Sequence, residues 1–248
     1  MDQVLLITGG SRGIGAATAL AAAAAGWHVA INYTRDEAAA KAVAEQVRQF
    51  GRRALVQRGD VASEADVLAL FAAVDQEFGA LHGLVNNAGV IDMPQRVEAM
   101  SAQRLQRMFA INVIGSMLCA REAVRRMSTR HGGRGGVIVN LSSAAARLGA
   151  AGQYVDYAAA KGAIDTFTLG LARELATEGV RVNAVRPGII ETDIHASGGQ
   201  PDRAQQMAPQ VPMQRAGSAD EVAQAILWLL SESSSYTTGA VIDVTGGR

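Results

Sequence analysis

The chain has 248 residues, enough for one large α/β domain or two small ones. Its 23 basic and 23 acidic side chains balance, so nothing calls for a nucleic-acid or acidic-membrane partner. Cys119 is the only cysteine, which excludes an internal disulfide and fits a reducing cytoplasm.

The alanine run at 16–25 has the small-residue look of a signal peptide. However, the first eleven residues carry Asp2 and no Lys or Arg, and Gly9-Gly10 breaks the apolar stretch. No window of about 20 unbroken, strongly apolar residues occurs, so no membrane span is expected. The expectation is a soluble, cytoplasmic protein.

Residues 4–7 form a short apolar strand that stops at Thr8-Gly9-Gly10-Ser11-Arg12-Gly13-Ile14-Gly15, and an alanine-rich helix follows as far as Gly26. Strand, glycine turn and helix make a phosphate-binding geometry, because glycines admit a close ligand and the helix start presents N–H groups. No Gly-Lys-Ser/Thr follows, so the turn is not a P-loop. A second strand at 28–33, a charged helix at 36–50 and a third strand at 53–58 lead to Asp60-Val61. Ser63 with Asp66 resembles a capping box and starts a helix to residue 78. The fourth strand, 81–85, ends in Asn86-Asn87-Ala88-Gly89.

One long helix is expected over 102–127 with Asn112 inside it, a weak helix former that suggests a specific task. A basic, glycine-rich loop at 130–136 precedes the fifth strand, 137–141, with Ser142-Ser143 at its end. The next helix runs from Tyr157 to about residue 178 and carries Tyr157 and Lys161 four apart, on one face. A nearby ammonium favours phenolate and is expected to draw the Tyr157 pKa down from about 10. The sixth strand, 180–185, closes on Arg186-Pro187-Gly188. Residues 189–215, interrupted by glycines and prolines, have the profile of an active-site lid. Ser218 and Glu221 cap a helix to residue 230, and a seventh strand spans 240–244.

The alternation of strand and helix predicts a single-domain, doubly wound Rossmann-type α/β fold: a seven-stranded parallel sheet with helices on both faces. In such a sheet ligands bind outside the carboxyl ends of the strands. The glycine turn, Asp60, Asn86 to Gly89, Ser142-Ser143 and Pro187-Gly188 all fall on that edge.

On these motifs, with Asn112 and Tyr157-x-x-x-Lys161 in this order, the sequence resembles the short-chain dehydrogenase/reductases over essentially its whole length. The resemblance implies hydride transfer between a nicotinamide cofactor and a small-molecule carbonyl or secondary alcohol. It implies Tyr157 as general acid/base, Ser143 as a donor to the carbonyl oxygen, and Lys161 as the group that tunes Tyr157 and holds the ribose. Asn112 is expected to hold a water linking Lys161 to solvent. The cofactor residues implied are Gly9, Ser11, Arg12, Gly13, Ile14, Gly15, Asp60, Val61, Asn87, Ala88, Gly89, Pro187, Gly188, Ile190 and Thr192, besides Tyr157 and Lys161. No metal is called for. The family's usual serine-to-tyrosine spacing lands on Ala144, so one extra residue is expected around 153–156, with Ser142 as the rival serine and Tyr154 as the rival tyrosine. The C-terminal Thr245-Gly246-Gly247 stands where the family usually has Asp-Gly-Gly.

Cofactor choice turns on the end of the second strand, where NAD-selecting enzymes place a carboxylate about 20 residues beyond the glycine turn. Here Asn32, Tyr33 and Thr34 are neutral, while Arg12 and Arg35 can meet a 2′-phosphate, which favours NADP(H) over NAD(H). Asp36 and Glu37 argue the other way but also suit a helix start. The alternatives are an NAD-dependent sugar or alcohol dehydrogenase and a catalytically silent cofactor-sensing regulator. A carrier-protein substrate would need a basic patch such as Arg125, Arg126, Arg130 and Arg134, against which Glu178 counts. The Tyr157 helix is apolar on nearly every face, and family resemblance points to a homotetramer built through it, the Asn112 helix and the last strand.

Overall fold

Alternation along the strands divides the interior into two cores. In β1 (Val4–Ile7), Leu5 and Ile7 face one side of the sheet while Val4 and Leu6 face the other. The same split holds in β2 (His28–Tyr33), where Val29 and Ile31 oppose Ala30. The remaining strands are β3 (Ala54–Arg58), β4 (Gly83–Asn86), β5 (Gly136–Leu141), β6 (Val180–Pro187) and β7 (Val241–Val244). The seven form one sheet in the order β3-β2-β1-β4-β5-β6-β7, every adjacent pair parallel. The computed structural model describes residues 3–248, apart from the side chains of His195 and Ser197. Residues 1 and 2 of the expected domain lie outside the described residues.

One face is covered by α1 (Gly13–Ala24), α2 (Glu37–Gln49) and α10 (Ala219–Leu230), which bury Ala19, Val43 and Ile226. The other is covered by α3 (Glu64–Phe78), α5 (Gly115–Met127) and α7 (Val155–Leu175), which bury Phe71, Cys119 and Ala172. Caps set several boundaries: Asp36 accepts from the Ala39 N–H at 2.9 Å, and Ser218 with Glu221 forms a full capping box. At α3 only half of a box forms. Ser63 caps the Asp66 N–H, but the Asp66 carboxylate reaches the Ser63 hydroxyl and the Asp60 N–H instead of the Ser63 backbone. It thereby ties the end of β3 to the helix start.

The long helix expected at 102–127 is not continuous. It consists of α4 (Ala102–Phe109), a π-turn at Ala110–Ile114 and α5. Such turns insert one residue into a helix and cluster at functional sites. After a short α6 (Ala145–Leu148), the Tyr157 helix ends at Leu175 rather than near 178, and Gly179 turns left-handed (φ +74°) to enter β6. Residues 189–215 contain short helices, α8 (Ile194–Ser197), α9 (Arg203–Met207) and one 3₁₀ turn at Ala208–Gln210, and Ile190 bridges to Gly217. Among the described residues no helix is long and apolar enough to cross a membrane.

Candidate active site

The glycine turn joins β1 to α1, and its shape is fixed from below. Thr8 Oγ1 accepts from the Asn87 and Ala88 N–H groups at 3.1 and 3.0 Å, and Asn87 Nδ2 donates to the Thr8 and Gly9 carbonyls at 3.0 and 2.8 Å. This stitches the ends of β1 and β4 together and places Asn87, Ala88 and Gly89 beside the turn. Gly9 has φ +63° and Gly13 φ +54°, conformations that favour glycine, and a Cβ at Gly15 would press on the Gly9 carbonyl and come within 2.6 Å of Asn87 Nδ2. The turn is thus a backbone-walled cradle at a helix N-terminus, which fits a dinucleotide's phosphates.

Asn32 requires a correction. It is buried, its Oδ1 accepts from the Gly9 N–H at 3.3 Å, and its Nδ2 donates to the Gly59 carbonyl at 2.9 Å. Strand alternation points it beneath the turn, so its side chain braces the cradle and is not available to a ribose. The neighbouring candidates lie at the rim: Thr34, Arg35 and Arg12 are exposed, Ser11 is half-buried and Tyr33 is buried. Asp60 is exposed and turns one carboxylate oxygen back onto the Ala62 N–H at 2.9 Å, while buried Val61 packs where a Cβ on Gly115 would have to sit. The two nearby acids are engaged, Asp36 as the cap of α2 and Glu37 in an ion pair with Lys41 at 2.7 Å.

Ser143, Tyr157 and Lys161 meet at one cavity of about 470 Å³ outside the ends of β4, β5 and β6. Ser143 Oγ accepts from the Ala145 N–H at 3.1 Å, and the Ser143 hydroxyl acts on the Tyr157 phenol across the cavity. Ser142 faces the other way, buried, donating to the Lys161 carbonyl at 3.2 Å. Lys161 is buried beneath the Tyr157 ring, with Nζ 5.6 Å from the ring centre and donating to the Leu141 carbonyl at 2.6 Å. Burial pushes the Tyr157 phenol up to about 12, offset in part by the Ser143 hydrogen bond. Burial also brings Lys161 down to about 8, with Asp165 opposing the shift. The expected lowering of the phenol by the ammonium is not what this cleft does: burial is the largest influence on Tyr157, and it favours the protonated phenol.

Asn112 sits in the π-turn and is fully buried. Its Oδ1 accepts from the Val90 N–H at 3.1 Å and its Nδ2 donates to the Val90 and Met108 carbonyls, both at 3.0 Å. The side-chain amide thus clamps the loop after Gly89. A Cβ on Gly89 would lie 2.8 Å from Asn112 Oδ1 and 3.7 Å from Lys161 Nζ, so the loop, the π-turn and the lysine converge there.

Pro187, Gly188, Ile190 and Thr192 line the same cavity, as do Ile14, Asn87 and Gly89. Gly188 backs onto Thr245, whose Cα would lie 2.8 Å from an added Cβ, and a Cβ on Gly13 would meet Thr192 Cγ2 at 3.3 Å. Tyr154, the rival tyrosine, is buried and donates to Gln200 Oε1 at 2.8 Å, which fastens residues 189–215 over the cleft. The irregular backbone before it lies at Gly149, Ala150 and Gly152, all at positive φ, upstream of the 153–156 stretch where an extra residue was expected. Three features escaped sequence reasoning. They are the buried Arg104–Asp156 ion pair at the start of α7, and Arg203 and Arg248 in the cavity lining. Nothing in spacing or pattern marked these residues, because each meets its neighbours only through the fold.

A family model described as enoyl-(acyl carrier protein) reductase matches residues 9–248. The chain is 53% identical over 245 residues to an uncharacterized oxidoreductase, YgfF, of Escherichia coli, covering 99% of both chains. It is 36% identical to the 3-oxoacyl-[acyl-carrier-protein] reductase FabG of Staphylococcus aureus, covering 100% of this chain and 98% of that one. The solved 3-ketoacyl-(acyl-carrier-protein) reductase of Brucella melitensis, complexed with NADH, superposes with a TM-score of 0.91 at 33% identity, over 99% of this chain and 98% of that one. With this fold and these neighbours, the chain belongs to the short-chain dehydrogenase/reductase family. It is an oxidoreductase acting on the CH–OH/C=O couple.

Proposed function

We propose that this single-domain chain is a cytoplasmic, NADP(H)-dependent carbonyl reductase with Tyr157 as the general acid/base. The observation that supports this most is the convergence of a neutral Tyr157 phenol, the Ser143 hydroxyl and buried Lys161 on one cavity beside the glycine cradle. The cradle residues Gly9, Gly13 and Gly15, with Asn87 to Gly89, would hold the dinucleotide, and Lys161 and Thr192 its nicotinamide end. When bound, the cofactor supplies the hydride. Tyr157 then gives its proton to the carbonyl oxygen, and Ser143, its Oγ anchored by the Ala145 N–H, donates to the same oxygen as charge develops there.

Exposed Arg12 and Arg35 at the rim, with Asp36 and Glu37 otherwise engaged, support NADP(H). A small-molecule substrate is favoured over a carrier protein because the candidate basic patch is largely neutralised. Arg125 and Arg126 pair with Glu122, Arg126 also with Asp75, and Arg130 lies 3.9 Å from Glu178. We further propose a homotetramer formed through α7, the α4–α5 face and β7. Exposed Leu105, Ile114, Met117 and Leu169 on those helices support this.

Steady-state oxidation of NADPH and NADH against a panel of ketones and aldehydes tests the reading. Tyr157→Phe keeps the ring and removes the proton, so turnover is expected to fall roughly two to four orders of magnitude while cofactor affinity holds. Near wild-type turnover in that variant would sink the mechanism, and a higher kcat/KM with NADH would overturn the cofactor assignment.

A further inference from the structure

We propose that Arg203 and Arg248 form an anion-binding subsite in the active cleft, so that the preferred substrates are carbonyl compounds carrying a carboxylate or phosphate. This rests on the carbonyl-reductase reading above. Both arginines line the cavity that holds Ser143 and Tyr157. Besides them the lining contains Lys161 and no Asp or Glu, and Lys161 is sunk beneath the tyrosine ring with Nζ on the Leu141 carbonyl. The acids of the covering segment, Glu191, Asp193 and Asp202, are exposed and outside the lining.

The two guanidiniums are presented differently. Arg203 is pre-organised: Nη1 donates to Gln200 Oε1 at 2.7 Å, Nη2 to Gln153 Oε1 at 2.9 Å, and the guanidinium carbon lies 5.1 Å from the centre of the Tyr154 ring. All three partners are neutral, so they fix its direction without cancelling its charge. Among the described residues the Arg248 guanidinium makes no hydrogen bond or ion pair, and the charged group that acts on it is Arg203. Burial first, and the Arg203 charge second, weaken its hold on its proton. Two cations that share a cavity with so many apolar walls repel one another and lose hydration, a cost that an anion between them reverses. Guanidiniums suit carboxylate and phosphate oxygens in particular, through paired N–H donors. The carbonyl end of such a substrate would lie at Tyr157 and Ser143, and its anionic end at the arginines.

Matched probes decide it, on the assembled full-length protein with saturating cofactor: levulinate against methyl levulinate, and dihydroxyacetone phosphate against dihydroxyacetone. In wild type, at least one charged probe is expected to exceed its neutral mate in kcat/KM by about 10- to 100-fold, mainly through KM. Arg248→Gln, which breaks no internal hydrogen bond, should cut that ratio at least tenfold, and Arg248→Lys should restore part of it. The pair that shows the effect tells carboxylate from phosphate. Neutral probes turned over as well as charged ones, or a ratio indifferent to Arg248→Gln, would overturn the subsite while leaving the reductase reading intact. If no probe is turned over, calorimetric titration of levulinate and of inorganic phosphate into the cofactor-free protein still decides. Saturable binding lost in Arg248→Gln upholds the subsite and faults the reductase reading alone, and absence of binding, or binding that the variant keeps, rejects the subsite.

Discussion

Lys161 is a buried amine whose pKa falls to about 8 from the 10.5 of a free lysine. Between those pH values the unfolded chain holds the proton more tightly than the fold does, so stability rises with pH across that window and is flat in this group below it. Integrated, the rise is about 3 kcal/mol at most. Tyr157 has the opposite sign: its phenol is raised to about 12, so its contribution is lost as pH climbs from about 10 to 12. Urea midpoints at pH 7.5 and 9.5 check this. Wild type should gain stability at the higher pH, and Lys161→Met should not, whereas parallel behaviour of the two proteins would refute the assignment. These charge states were the part of the site least legible in the sequence. The i, i+4 spacing of Tyr157 and Lys161 predicted their proximity, but the balance between charge and desolvation depends on the depth of burial, which local pattern does not encode. Asn32 teaches the same point. Its position at the end of β2 was readable, and the buried Gly9 and Gly59 contacts that consume its amide were not.

At the scale of elements, α4 and α7 are joined by an ion pair that sequence reading left out. Arg104 Nε lies 2.7 Å from Asp156 Oδ2, and the two side chains are only 7% and 0% exposed. The same guanidinium reaches the Met93 carbonyl and Gln95 Oε1, so it anchors the loop after β4 as well as the first turn of α7, one residue before Tyr157. Removing one member of a buried pair strands the other, so Arg104→Met is expected to cost about 3 to 5 kcal/mol. The double variant Arg104→Met/Asp156→Leu should recover much of that. A loss below about 1 kcal/mol for the single variant, from denaturant titration, would show the pair to be expendable. Element boundaries were otherwise readable wherever a cap or a glycine marked them, as at Ser218 and Gly79, the latter with φ +74° at the end of α3. The π-turn was not, because helix-forming residues continue through it and only Asn112 hinted at an interruption.

For the whole molecule, the parallel seven-stranded sheet with helices on both faces was readable from the alternation of strand and helix, whereas the order of the strands came only with the fold. What one chain cannot encode locally is how much of its surface stays wet. On the outer side of α7, a Cβ at Gly162 or at Gly170 would meet nothing within 4 Å, and Leu169 beside Gly170 is 41% exposed. β7 is one of the sheet's two edge strands and only partly buried. If these surfaces are covered by other copies, light scattering at micromolar concentration should give about four times the 25.8 kDa chain mass. Leu169→Glu should lower that mass without unfolding the chain. A monomer mass for wild type would rule the assembly out.

The π-turn at Ala110–Ile114 also sets a phase. Arg104 and Met127 are both buried, yet in an unbroken α-helix their spacing would set them about 140° apart around the axis. One inserted residue reduces that to about 40°. The stripe of Ser116, Ala120, Ala123 and Met127 therefore continues the line of Arg104 and Met108 instead of veering toward solvent. The π-turn that brings Asn112 to the cleft and the offset that keeps α5 on the sheet are one and the same residue of extra length, so regularising the helix for either purpose would undo the other.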